Sequence, residues 1–239
     1  MKNYNSFARF YDFAMGDQRE VSSVLMRLIR QHAPKAKTLL EFGCGSGSLL
    51  AHFVTRYQCY GIDLSLGMAR LARKKVPAAT IVVGDISRIT LKRHFDVIVS
   101  AFDTINHISD FSRWKEVFAR AHEQLEERGV FIFDINTEAK IDRYHEEPPY
   151  IEVNEEGVSV FDVTRTGGSK YTLSVKVFKH HRKNSYRLHE MEVKGATFPV
   201  SRIRTELLRY FHEVSLLDLE RARPSDKSEE LYFICKGPR

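Results

Sequence analysis

A chain of 239 residues, 43% hydrophobic and 28% charged, has the composition of a globular protein and can bury a full core, as one domain or as a core domain with an insertion. No apolar run approaches the length of a membrane helix, the opening Met1-Lys2-Asn3-Tyr4-Asn5-Ser6 lacks the apolar stretch of a secretory signal, and Cys44, Cys59 and Cys235 stand at no ligand or redox spacing. These features predict a protein of the reducing cytoplasm, and a net charge of +6 tolerates an acidic partner without demanding one.

In chain order, the segment from Tyr4 to Phe13 is dense in aromatics and predicts a helix packing its aromatic face on a core. A second helix is expected from about Asp17, with Val21, Leu25, Leu28 and Ile29 on one face, ending before Pro34. Strands near 38–42, 58–62, 79–84, 95–100 and 129–135 then alternate with helices near 46–56, 66–76 and 112–126. Such alternation requires a mainly parallel sheet with helices on both faces. From Tyr150 to about Val193 the pattern changes. Val158, Val160, Asp162 and Val163, then Tyr171, Leu173, Val175 and Val177, flank Gly167-Gly168 as a hairpin, and Arg187, His189, Met191 and Val193 suggest a further strand. A helix from Pro199 to Phe211 and the strands Val214–Leu219 and Leu231–Cys235 close the chain, the two strands as an antiparallel edge hairpin. The expected fold is α/β, doubly wound, with a mainly parallel seven-stranded sheet and an inserted small antiparallel β-sheet. Its division is a core domain at 1–147 and 196–239 with an inserted unit at 148–195.

The stretch Leu39-Leu40-Glu41-Phe42-Gly43-Cys44-Gly45-Ser46-Gly47 carries the chemistry. It reads as strand, tight glycine turn, helix, and a glycine turn at the carboxyl end of a strand lets a ligand approach the backbone. The third glycine comes one residue too early for a dinucleotide fingerprint, and no Lys follows as a phosphate loop requires. Tyr60-Gly61-Ile62-Asp63-Leu64-Ser65 ends the second strand in an acid, placed to accept ribose hydroxyls. Ile81-Val82-Val83-Gly84-Asp85-Ile86 ends the third in another acid. Together these marks resemble the class I, Rossmann-like S-adenosylmethionine-dependent methyltransferases. The loop Ala101-Phe102-Asp103-Thr104-Ile105-Asn106-His107 resembles the small-molecule N-methyltransferases among them, notably those acting on amino sugars.

The resemblance implies S-adenosylmethionine as cofactor. Its contacts would come from Glu41, Gly43, Cys44, Gly45 and Gly47 at the turn, and from Asp63, Leu64 and Met68 after the second strand. Asp85 and Ile86 would flank the adenine, and Ala101 and Phe102 would complete the site. Cys44 reads as a small turn residue and not as a nucleophile. The aromatic N-terminal segment would be a lid bringing Tyr11 near the acceptor. His107 and Tyr11 are the catalytic candidates, accepting a hydrogen bond from a small-molecule amine, with oxygen the second-choice acceptor atom. Asp103, Asp134 and Asn136 imitate the magnesium ligands of catechol-type relatives, but Ile135 splits the pair and no metal is expected. Glu147-Pro148-Pro149-Tyr150 resembles the box that pinches a target nitrogen in adenine and amide N-methyltransferases; with no strand leading into it, a hinge is the preferred reading. The basic run Lys179-His180-His181-Arg182-Lys183 predicts a solvated hairpin tip, with a phosphate contact as the alternative. Lys74, Lys75, Lys92 and Arg93 lie on other elements and form no stripe with it, which disfavours a nucleic-acid partner. A monomer or homodimer fits, and a non-catalytic cofactor-binding protein is the rival from another class.

Overall fold

The computed structural model describes residues 2–16, 18–182, 185–225 and 227–239. Helices α1 (Lys2–Met15) and α2 (Arg19–His32) precede β1 (Thr38–Phe42). There follow α3 (Leu50–Phe53), β2 (Gln58–Asp63), α4 (Leu66–Lys75), β3 (Thr80–Val83), β4 (Phe95–Ser100), a 3-10 turn at Thr104–His107, α5 (Phe111–Gln124) and β5 (Leu125–Asn136). Then come α6 (Glu138–Glu146), β6 (Tyr150–Asn154), β7 (Gly157–Gly167), β8 (Lys170–Arg182), β9 (Ser185–Ala196), α7 (Val200–Leu207), β10 (Phe211–Leu217) and β11 (Glu230–Pro238).

The main sheet has the order β10-β11-β5-β4-β1-β2-β3. Strands β3, β2, β1, β4 and β5 are parallel, and β11 runs antiparallel to both β5 and β10. The expected edge hairpin is therefore present. Both faces are covered, so adjacent residues of one strand are equally buried. Leu39 and Leu40 are both fully buried, yet Leu39 packs with Leu25, Leu28 and Phe53 while Leu40 packs with Trp114, Phe118 and Ile203. Phe133 stacks between Phe131 and Phe233, each centroid 4.8 Å away. Such ring pairs add about 0.5–1.5 kcal/mol beyond area burial.

A separate antiparallel sheet, β6-β7-β8-β9, is built from Tyr150–Asn154 to Ser185–Ala196. Its Val175, Val177, Met191 and Val193 receive Phe7, Phe10 and Ala14 of α1. The aromatic segment is thus helical, as its pattern predicts. It buries its face against the small sheet and not against the main one.

Three local expectations change. The helix expected near 46–56 is only Leu50–Phe53, because Gly45 and Gly47 have φ of +51° and +81° and cannot join a right-handed helix. The helix expected to Phe211 stops at Leu207, and fully buried Phe211 starts β10. The polar run before Glu147 forms α6, anchored by buried Ile141 alone among its residues; a single apolar side chain leaves no periodicity to read. Tyr150 is 60% exposed on β6, so the Glu147–Tyr150 segment is a connection and not a nitrogen-binding box. Asp17, the expected start of the second helix, lies outside the described residues, as does Lys183 of the basic run.

Candidate active site

The glycine turn leaves β1 and is pinned at once to β2. The Gly43 and Cys44 amides both donate to the Ile62 carbonyl, at 2.8 and 3.0 Å. Gly43 has φ +73°, and a Cβ there would stand 2.3 Å from Thr104 Cγ2, so a side chain is excluded by conformation and by space. At Gly45 a Cβ would meet only Tyr11 Cε1, at 3.8 Å. That bare edge faces a pocket walled by Glu41, the turn, Ala101, Phe102 and Thr104, and covered by Tyr11 and Gln18.

Two carboxylates lie behind the turn. Asp63 accepts the Gly45 amide on Oδ2 and the Ser65 amide on Oδ1, both at 2.8 Å. Burial raises its pKa against those two hydrogen bonds. Glu41 is 3% exposed, and its Oε2 is buried with no hydrogen-bond partner. Burial, then the neighbouring Asp63, hold its carboxyl well above the usual range. Burial therefore disfavours the charged form of Glu41. A ligand that brings an ammonium to the turn and hydroxyls to the free lone pairs of Asp63 fits this donor set.

Helix α1 closes over the turn through a polar latch. The Asp12 carboxylate accepts hydrogen bonds from the Ser46 and Ser48 hydroxyls and pairs with Lys75 Nζ at 2.6 Å. Tyr11 faces the pocket, while Asp12 points to the latch.

The loop after β4 is strained. Phe102 and Asp103 are consecutive non-glycine residues at φ +57° and +47°, a conformation that costs of order 1–3 kcal/mol per residue and gathers at functional sites. Buried Asp134 holds it by accepting the Asp103 amide on both oxygens, at 3.2 and 3.3 Å. Asn106, fully buried, donates to the Asn136 and Ala196 carbonyls and accepts the Asn136 amide. Held this way, His107 places Nε2 3.6 Å from Asp103 Oδ2 and Nδ1 3.3 Å from the Tyr4 hydroxyl. Burial, reinforced by nearby acids, pushes the phenols of Tyr4, Tyr11 and Tyr171 upward. All three are neutral hydroxyls at physiological pH, able to donate but not to serve as phenolate bases. The buried Tyr171 hydroxyl has no partner, and its ring occupies the space a side chain at Gly195 would need.

Of the expected cofactor residues, Glu41, Gly43, Cys44, Gly45, Ala101 and Phe102 line one pocket together with Tyr11. Gly47 packs against Ala72 and Asp63 braces the turn from behind. Leu64 is 43% exposed, whereas Met68 is buried with its amide on the Ser65 hydroxyl. Ile86 joins the core. Both oxygens of Asp85 are engaged, by Ser87 and by Arg113, and these contacts hold its pKa low even though burial acts upward. Sequence reasoning missed Gln18, placed Thr104 only within the fourth-strand loop, and gave no latch to Asp12 and no partner to Tyr4. The aromatic density around Tyr4 was the one available signal. Of the imitation metal triad, Asp134 serves the Asp103 amide, and the described residues contain no group of three His, Cys, Asp or Glu that could hold a metal ion. No helix of the described residues is long and apolar enough to cross a membrane.

The strand order and the glycine turn at the end of β1 define the class I methyltransferase fold. Residues 39–129 match the family described as a methyltransferase domain. Over 119 residues it is 32% identical to the dTDP-3-amino-3,4,6-trideoxy-alpha-D-glucopyranose N,N-dimethyltransferase of Streptomyces venezuelae, covering 49% of this chain and 50% of that one. The likeness thus spans about half of that relative. An S-adenosylmethionine-dependent methyltransferase from Clostridium acetobutylicum superimposes with a TM-score of 0.83 at 21% identity, over 98% of both chains. CalS10, an amino pentose methyltransferase from Micromonospora echinaspora solved with S-adenosylmethionine bound, gives 0.76 at 20% identity over 92% of both chains.

Proposed function

We propose that this chain transfers a methyl group from S-adenosylmethionine to an amine of a small molecule, an amino sugar being the favoured acceptor class. The observation that carries the reading is the buried, unpartnered Glu41 oxygen beside an exposed glycine edge. A carboxyl raised by burial regains its charge when an ammonium supplies the missing partner, and the amino acid end of the cofactor has one. Glu41 and the Gly43–Gly45 backbone would hold that end, and Asp63 would take the ribose hydroxyls with its remaining lone pairs. When bound, the cofactor supplies a sulfonium methyl that needs no further activation.

The protein's own residues then align the acceptor and exclude water. Helix α1, latched by Asp12, keeps solvent from the turn. Asp103, His107 and Tyr4 meet at the fourth-strand loop, where a carboxylate favours an amine and the imidazole can take its proton. The names of the Streptomyces and Micromonospora relatives, both acting on amino sugars, support the acceptor class. The unit at 148–195 is read as the acceptor-side addition, because its sheet carries α1, whose Tyr11 lines the pocket. The test is formation of S-adenosylhomocysteine with a panel of amino sugars, simple amines and catechols. Turnover confined to catechols would overturn the amine assignment.

A further inference from the structure

A second cleft, of about 290 Å³, lies on the other side of the same helix, lined by Phe10, Lys179, His180, His181, Arg187 and His189. Phe10 and Tyr11 are adjacent in α1 and project about 100° apart around its axis, so the two pockets lie on different faces of one helix. The strand register explains the cleft's charge. Val175 and Val177 of β8 and Met191 and Val193 of β9 form the buried face under α1. Alternation continues that face through Lys179 on β8 and through His189 and Arg187 on β9. Val177 pairs with His189, and Lys179 pairs directly with Arg187.

Like charges opposite one another across a ladder are destabilising, and here little offsets them. Glu156 takes Lys179 Nζ at 3.0 Å. Arg187 and His181 have no side-chain hydrogen bond or ion pair among the described residues. The His189 ring is stacked on Phe10, centroids 3.7 Å apart, which fixes an imidazole at the cleft floor. A guanidinium, an ammonium and imidazoles around one concave apolar floor suit a compact, multiply charged oxyanion, for which Arg offers paired donors and Lys a point charge.

From this geometry we infer that the cleft between α1 and the β8–β9 hairpin is a binding site for a phosphoryl group, either free phosphate or one carried by the acceptor. Neither the glycine turn nor the fourth-strand loop takes part in it.

The test is a titration of the full chain with inorganic phosphate at constant ionic strength, followed by the histidine ring resonances, with chloride as control. Saturable shifts of His189 are expected. The double variant Lys179→Gln/Arg187→Gln should weaken them at least tenfold, whereas Lys176→Gln, on the opposite face and paired with Glu190, should leave them unchanged. Thermal melts of each variant check folding. Shifts that rise linearly with phosphate, or that survive in the double variant, would overturn the site. Calorimetry with glucosamine and glucosamine 6-phosphate separates the sources. Tighter binding of the phosphorylated probe, lost in the double variant, assigns the site to the acceptor, and equal binding assigns it to free phosphate. S-adenosylhomocysteine binding, measured on the same samples, reports the methyl-transfer site independently.

Discussion

Asp12 and Lys75, 63 residues apart in the chain, form an ion pair of 2.6 Å that fastens the N-terminal helix over the glycine turn. Asp12 also receives the Ser46 and Ser48 hydroxyls, so a single carboxylate joins the lid, the turn and α4. The pair is partly exposed, and such pairs are worth about 0.2–1 kcal/mol. Asp12→Asn is expected to speed release of S-adenosylhomocysteine by about twofold to fivefold on that scale, and 1 M salt should erase the difference. Although burial acts upward, Lys75 and the two serines hold the Asp12 pKa below its ordinary 3.8. The latch is therefore fully present above that value and lost as pH falls through the lowered one. Stopped-flow dissociation at pH 7 and at low and high salt reads this out.

Asp63→Ala removes two backbone hydrogen bonds behind the turn as well as the proposed ribose acceptor. Affinity for S-adenosylhomocysteine is expected to fall by about 1.5–3 kcal/mol, the range for hydrogen bonds to charged groups. Calorimetry giving the wild-type affinity would refute the cofactor site.

Glu41→Gln tests the unpartnered carboxyl through pH. Burial raises the Glu41 pKa above its ordinary 4.5 in the folded protein. The stabilising contribution of that shift is complete below 4.5 and disappears as pH rises through the raised value. The variant without ligand should therefore gain stability relative to wild type as pH increases, while its cofactor affinity drops. Melting temperatures of both proteins at pH 5 and pH 8 decide this, and a gap that does not widen with pH counts against a buried charge.

His107→Ala is expected to lower turnover about tenfold to a hundredfold with cofactor affinity intact, less than a full general-base loss because alignment carries most of the catalysis. Tyr4→Phe, which removes only the hydroxyl facing Nδ1, should have a smaller effect in the same direction. Steady-state rates beside product-binding calorimetry separate catalysis from cofactor binding.

Full activity is expected in EDTA. Asp134 accepts the Asp103 amide on both oxygens, and the described residues contain no group of three His, Cys, Asp or Glu that could hold a metal ion. Loss of activity in chelator with recovery on adding magnesium would reverse that assignment.

What the chain determined by itself was whatever periodicity and spacing encode. The alternation of strands and helices from Thr38 to Asn136 dictated a parallel sheet, and three glycines at alternate positions dictated the turn that Gly43 and Gly45 make at positive φ. Asp63 was legible because the tip of the second strand always abuts the turn after the first. Helix α6 was not, since one buried Ile141 leaves no pattern. Nor was the division of labour between Tyr11 and Asp12: neighbours in sequence, they point from one helix into a pocket and into a latch. Only tertiary structure decided that Tyr4 would meet His107 across 103 residues, that Asp134 would brace the strained Asp103, or that Lys179 would face Arg187. Burial is written locally, one face at a time. The partner of a polar group is chosen by packing between distant segments, and no local pattern records it.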